Sequence, residues 1–223
     1  MRAIRYLQYF FYLGINWNFK IAYHILLHEI KGEHKYGIDT TGSDELHKIK
    51  AAGTDISHAT IYMPASYILL KDVFKQLPAN PSKHFVDIGC GKGRVLCVAA
   101  QHGFNKVTGV DFSKEFCANA TDNLTITKKK FPSFSFSVIN KDASLFDIPD
   151  DADCIFFFNP FDLFIMNKVA KKIKESYHRK PRTIYIIYLN PLYKNELLNI
   201  GFKEIYYTIK MQYMEAVILK ITA

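Results

Sequence analysis

The 223-residue chain has little of what marks several protein classes. Its four cysteines, at 90, 97, 117 and 154, form no Cys-x-x-Cys pair and no Cys/His cluster at zinc spacing. A disulfide scaffold is therefore excluded, nothing calls for a metal, and a reducing, cytoplasmic setting is the expectation. With only 11 Gly and 8 Pro, collagen-like and low-complexity chains are excluded as well. A hydrophobic content of 49% excludes disorder as the main state. No apolar run is long enough to span a bilayer. The best candidate, residues 6–19, offers 14 uncharged residues interrupted by Gln8, Asn16 and Asn18, and no small-x-small cleavage site follows. Integral membrane association is not expected. That stretch, preceded by Arg2 and Arg5, reads as an amphipathic or buried helix, with contact to a membrane surface as the alternative.

What is present is a basic balance, 29 Lys and Arg against 21 Asp and Glu, or 29 − 21 = +8. Such a charge suits anionic partners, and it equally serves solubility. Residues 77–82, with two prolines and an Asn, break the chain into a helix-biased cap region (1–80) and a second domain (81–223). The second part alternates strand and helix: strands at 85–88, 106–110, 134–139, 154–158 and 183–188, helices between them, then two closing strands near 203–210 and 213–220. That pattern predicts an α/β fold, a Rossmann-like seven-stranded mostly parallel sheet with an antiparallel last strand, plus the helical N-terminal cap. Ligands of such sheets bind beyond the carboxyl ends of the strands. The turns after 88, 110, 139 and 158 should therefore share one crevice, with the cap over it or packed at the sheet edge.

The strongest local signal is Phe85-Val-Asp-Ile-Gly-Cys-Gly-Lys-Gly-Arg94, where a strand becomes a helix. Glycines at 89, 91 and 93 allow a tight turn and close approach to a ligand, and the helix that follows offers free N–H groups. Asp111 ends the next strand, 18 residues after Gly93, where a carboxylate can accept from both hydroxyls of a ribose. A nicotinamide dinucleotide fingerprint would need glycine at 94, which is Arg, and no Gly-Lys-Ser/Thr ending makes a P-loop.

Residues 86–94 with Asp111 resemble motif I and the following acid of class I S-adenosylmethionine-dependent methyltransferases. The resemblance extends over roughly residues 60–220. It implies S-adenosyl-L-methionine as cofactor and a methyl-transfer reaction. Asp87 would then hold the methionine amino group. Gly89, Cys90, Gly91 and Gly93 would shape the bed, Asp111 would take the ribose, and Phe112 would lie against the adenine. Asp142, with Ala143 beside it, matches the acceptor for the adenine amine; a solvated turn acid is the alternative.

The fourth strand ends in Phe158-Asn-Pro-Phe-Asp162, similar to the Asn/Asp-Pro-Pro-aromatic turn of methyltransferases acting on planar amines and amides. Asn159, Pro160 and Phe161 are thus implied at the acceptor, although the second Pro is missing and the aromatic comes one place early. Residues 58–67 resemble the cofactor lid of several protein-lysine methyltransferases, which places Tyr62 at the cofactor and makes Tyr67 a candidate beside it, or a core residue. Asp162 and His58 are candidate bases. The acceptor expected first is an amine on a protein side chain. Nucleic acid follows, from the basic clusters at 128–130 and 168–182, and then a small molecule. A non-catalytic cofactor-binding module is the different-class alternative.

Overall fold

The computed structural model describes residues 2–16, 18–40, 64–78, 84–158, 161–212 and 214–223. Its elements are helices α1 (Arg2–Asn16), α2 (Phe19–Tyr36) and α3 (Tyr67–Lys75), followed by the alternating part. There β1 (His84–Ile88), α4 (Arg94–His102), β2 (Lys106–Asp111), α5 (Lys114–Lys130), β3 (Ser135–Asn140), β4 (Cys154–Phe158), α6 (Leu163–Arg179) and β5 (Ile184–Leu189) follow in order. Helix α7 (Lys194–Asn199) and strands β6 (Lys203–Lys210) and β7 (Met214–Ile221) close the chain.

One seven-stranded sheet runs β3-β2-β1-β4-β5-β7-β6. The first five strands pair in parallel, and β7 lies antiparallel between β5 and β6. The strand order reverses between β1 and β4, so the crevice of such a sheet opens there. The central strands are apolar on both faces, as parallel strands covered by helices must be. Alternation assigns the faces: Phe85, Cys154, Phe156, Ile187 and Leu189 join the core under α3, α4 and α5. Val86, Ile88, Ile155, Phe157, Ile186 and Tyr188 join the core under α6 and α7. Helix α3 is part of the first of these cores through Leu70, Val73 and Phe74.

The helix after β1 starts at Arg94. Gly91 (φ 49°) and Gly93 (φ 77°) hold the turn in left-handed backbone up to that point. Ser113 Oγ accepts from Phe116 N at 3.2 Å and Asp162 Oδ1 from Ile165 N at 3.0 Å. Gly103 ends α4 at φ 109°. Helices α1 and α2 form a hairpin around a small core of Tyr9, Leu13, Ala22 and Ile25.

Candidate functional site

The glycine turn is moored to the end of β2. Gly89 N and Cys90 N both donate to the carbonyl of Val110, at 2.8 and 3.0 Å. Gly91 N donates to Asp111 Oδ2 at 2.8 Å, and Ser113 N donates to Asp111 Oδ1 at 2.9 Å. The carboxylate and the turn that the sequence singled out are therefore in direct contact. Asn140, at the end of β3, donates to the carbonyls of Asp111 (3.1 Å) and Phe112 (2.8 Å) and fixes the turn that carries them. Gly109 keeps the approach tight: a Cβ there would meet Leu96 Cδ1 at 2.6 Å and Cys90 Sγ at 2.8 Å.

Electrostatics mark the same place. Asp111 is 6% exposed. Burial pushes its carboxyl up to about 6, while the amides of Ser113 and Gly91 pull the other way. Asp87, at the carboxyl end of β1, is buried as well, and its carboxylate receives no hydrogen bond from a described residue. Burial, and then the charge of Asp111, push its carboxyl well above the usual range. Two buried acids thus converge at the mouth of the sheet with fewer donors than their lone pairs can take. Such a site is complementary to a ligand that carries donors and positive charge.

The other predicted residues fall as follows. Phe112 is half-buried beside Asp111. Asp142 is exposed, and its Oδ1 accepts from Ser144 N at 2.6 Å, capping the short turn Ala143–Leu145. Phe161 is 6% exposed and packs edge-on against Phe157 in the core under α6. The exposed ring of that turn is Phe164. Asn159, Pro160, Tyr62 and His58 lie outside the described residues. Tyr67 is a core residue: its ring lies between the Arg94 guanidinium (4.3 Å) and the stacked ring of Tyr36 (5.6 Å).

Two features escaped the sequence. The first is Arg94, the residue directly after Gly93. Its guanidinium is 3% exposed and makes a two-pronged pair with Glu29 of α2, at 2.9 and 2.5 Å. It also donates to Thr40 Oγ1 at 2.8 Å and to the carbonyl of Ala65 at 2.9 Å. The second is Asn123 of α5. Its amide donates to the carbonyls of Lys92 (2.9 Å) and Asp39 (3.2 Å) and accepts from Asp39 N (3.1 Å). Together they tie the glycine turn to the segment that follows α2. No local pattern announces either one, because the partners are 29 to 84 residues away.

Among the described residues no group of His, Cys, Asp and Glu is arranged to hold a metal ion. None of their helices is long and apolar enough to cross a membrane.

Residues 85–179 match the family model described as a methyltransferase domain. Solved structures share the fold. One is a SAM-dependent methyltransferase from Aquifex aeolicus, 16% identical over 79% of this chain and 98% of that one, with a TM-score of 0.53. Another is magnesium protoporphyrin IX methyltransferase from Synechocystis PCC 6803 with bound SAM, 14% identical over 87% and 91%, TM-score 0.52. A third is an S-adenosylmethionine-dependent methyltransferase from Mesorhizobium loti, 15% identical over 70% and 97%, TM-score 0.52. No curated protein matches the chain.

Proposed function

We propose, from the methyltransferase-domain match over residues 85–179 and the fold shared with S-adenosylmethionine-dependent methyltransferases, that the chain moves a methyl group from S-adenosylmethionine onto an amine carried by a protein side chain. The observation that carries the cofactor half is the contact of Asp111 with the glycine turn, beside the donor-poor Asp87. An α-amino group and a vicinal diol are the donors that these two acids lack. In this proposal Asp87 holds the amino group, Asp111 the ribose hydroxyls, and the backbone of Gly89, Cys90, Gly91 and Gly93 the floor. Phe112, Asp142 and Ala143 face the adenine, and Tyr62 closes over the site. Asn159 and Pro160 orient the acceptor nitrogen, and Phe161 supports the turn from below.

The bound cofactor supplies a methyl group already activated by a sulfonium. The chain's own work is then to align the acceptor lone pair and exclude water, and alignment can lower a barrier by ~7–11 kcal/mol. The acceptor amine has to be unprotonated when it attacks. Asp162 is engaged as the cap of α6 through one oxygen, which suits it to holding the turn.

The rim of the crevice favours an acceptor on a macromolecule. Leu145 after β3, Leu163 and Phe164 after β4, and Leu192 after β5 are all exposed where an acceptor segment would lie. The basic helix α6 is less open to nucleic acid than its sequence suggests. Lys172 pairs with Asp147 at 2.5 Å and Arg179 with Asp150 at 2.8 Å. Arg182 donates to the carbonyls of Ala152 (2.7 Å) and Pro149 (3.2 Å).

The test is incubation with methyl-labelled S-adenosylmethionine and cell extract, followed by separation of protein, nucleic acid and small molecules. Label stable in the protein fraction is expected, released on hydrolysis as a methylated amino acid. Label confined to nucleic acid or small molecules overturns the acceptor, and no enzyme-dependent label overturns the transfer itself.

A further inference from the structure

The α1–α2 hairpin is apolar on two sides. Inward, Tyr9 and Leu13 of α1 meet Ala22 and Ile25 of α2. Outward, Ile4, Leu7, Phe11 and Ile15 recur at the spacing of a second helical face, and all four are exposed, Leu7 at 57% and Ile15 at 76%. An ordinary surface helix carries polar residues there. On α2, Phe19, Tyr23 and Ile30 continue the exposed apolar stripe. The two stripes join at the bend, where the rings of Phe11 and Phe19 meet edge-on at 6.5 Å. Gly14 leaves room for this, since a Cβ there would strike the Phe19 ring.

The charge of the hairpin is one-sided. Residues 2–36 contain Arg2, Arg5, Lys20, Lys31 and Lys35 against two acids, Glu29 and Glu33. Both acids are buried. Glu29 is paired with Arg94, and Glu33 accepts from Thr40 N and from Tyr6 Oη. Lys20, Lys31 and Lys35 are exposed, as are His24, His28 and His34. The outer surface of the hairpin is therefore apolar and basic, with no acid among its described residues.

We propose that this outer face docks on an anionic lipid surface. Such a surface meets both halves of the pattern at once: the apolar stripe sinks to the level of the acyl chains, and the basic side chains stay among the headgroups. Aromatic residues such as Phe11, Phe19 and Tyr23 suit that boundary. A second copy of the chain is a poorer occupant, because stacking the face on itself would bring like charges together. Helix α1 has 15 residues, about 22 Å at 1.5 Å per residue, too short to cross a bilayer, so it would lie in the plane of the surface. The docking is independent of which acceptor the crevice takes.

The test is cosedimentation of the full chain with vesicles of mixed phosphatidylglycerol and phosphatidylcholine, and with vesicles of phosphatidylcholine alone. Binding to the anionic vesicles is expected, weakened by added salt. A Leu7→Ser/Ile15→Ser variant is expected to partition about tenfold more weakly, as is fitting when two exposed apolar side chains supply much of the insertion. A Lys20→Glu/Lys31→Glu variant is expected to lose the preference for anionic over neutral vesicles. Unchanged thermal unfolding of both variants shows that the hairpin still folds. The docking is overturned if the chain ignores anionic vesicles. It is equally overturned if both variants bind like the wild type, or if Leu7→Ser/Ile15→Ser only dissolves a dimer of a chain that binds no vesicle.

Discussion

Replacing Asp111 with alanine is expected to weaken binding of S-adenosylmethionine, or of its demethylated product, by roughly a hundredfold or more. Each hydrogen bond to a charged group contributes about 1.5–3 kcal/mol, and a ribose diol makes two. Isothermal titration calorimetry reads the loss directly, and binding like that of the wild type would contradict the ribose assignment. The wild type should also show a pH signature. Burial raises the Asp111 carboxyl from 3.8 to about 6, so the anion that would accept the two hydroxyls predominates only above that value. Affinity should climb as pH rises from about 5 to about 7 and then level off, since binding follows the deprotonated fraction. The stability of the ligand-free protein carries the opposite sign. Between 3.8 and about 6 the folded state holds a proton that the unfolded chain has released, so this group's contribution is lost as pH rises through that window. An Asp111→Asn variant should lose the part of both dependences that Asp111 carries.

The second large effect is expected at Arg94. An Arg94→Met substitution leaves Glu29 buried with no guanidinium facing it. Removing one partner of a buried pair typically costs about 3–5 kcal/mol. For a domain of this size that corresponds to a fall of about 6–20 °C in the midpoint of thermal unfolding. Burial already pushes the Glu29 carboxyl up, with Arg94 opposing it, so the orphaned acid should take up a proton instead of remaining charged. Arg94→Met/Glu29→Met should recover most of the loss, because two apolar side chains can fill the space of an ion pair without its desolvation. A double variant no more stable than the single one would show that the pair does not carry this energy. Arg94 is the first residue of α4, directly after the glycine turn. Cofactor affinity measured on the same proteins therefore tells whether mooring the turn to α2 matters for binding as well as for folding.

Much of the sheet was legible because its signals are local. Short apolar runs separated by turns marked the strands, and Ser113, Asp162 and Gly103 sit at helix ends where the backbone needs a cap. The pairing of the glycine turn with Asp111 was legible too, since the spacing of a strand–helix–strand unit places both at neighbouring strand ends. What stayed hidden depends on contacts between distant residues. Position 94 read only as the absence of a glycine, and nothing near it announces Glu29. Phe161 read as an aromatic at an acceptor turn, while the structure turns its ring inward and leaves Phe164 outside. The lysine-rich helix read as an open basic face, because Asp147 and Asp150 approach it from a turn about 25 residues earlier. The outward apolar stripe of α1 was ambiguous between burial and a surface role, as its periodicity alone does not say which face α2 covers.

The most direct test of the cofactor crevice is a crystal structure of the chain with S-adenosylhomocysteine. The geometry predicts both ribose hydroxyls within hydrogen-bond distance of the Asp111 carboxylate, the amino group against Asp87, and the backbone of Gly89 to Gly93 beneath the thioether-linked chain. A nucleoside bound elsewhere, or a glycine turn that stays closed on Asp111 with no ligand in the crevice at saturating concentration, would contradict it.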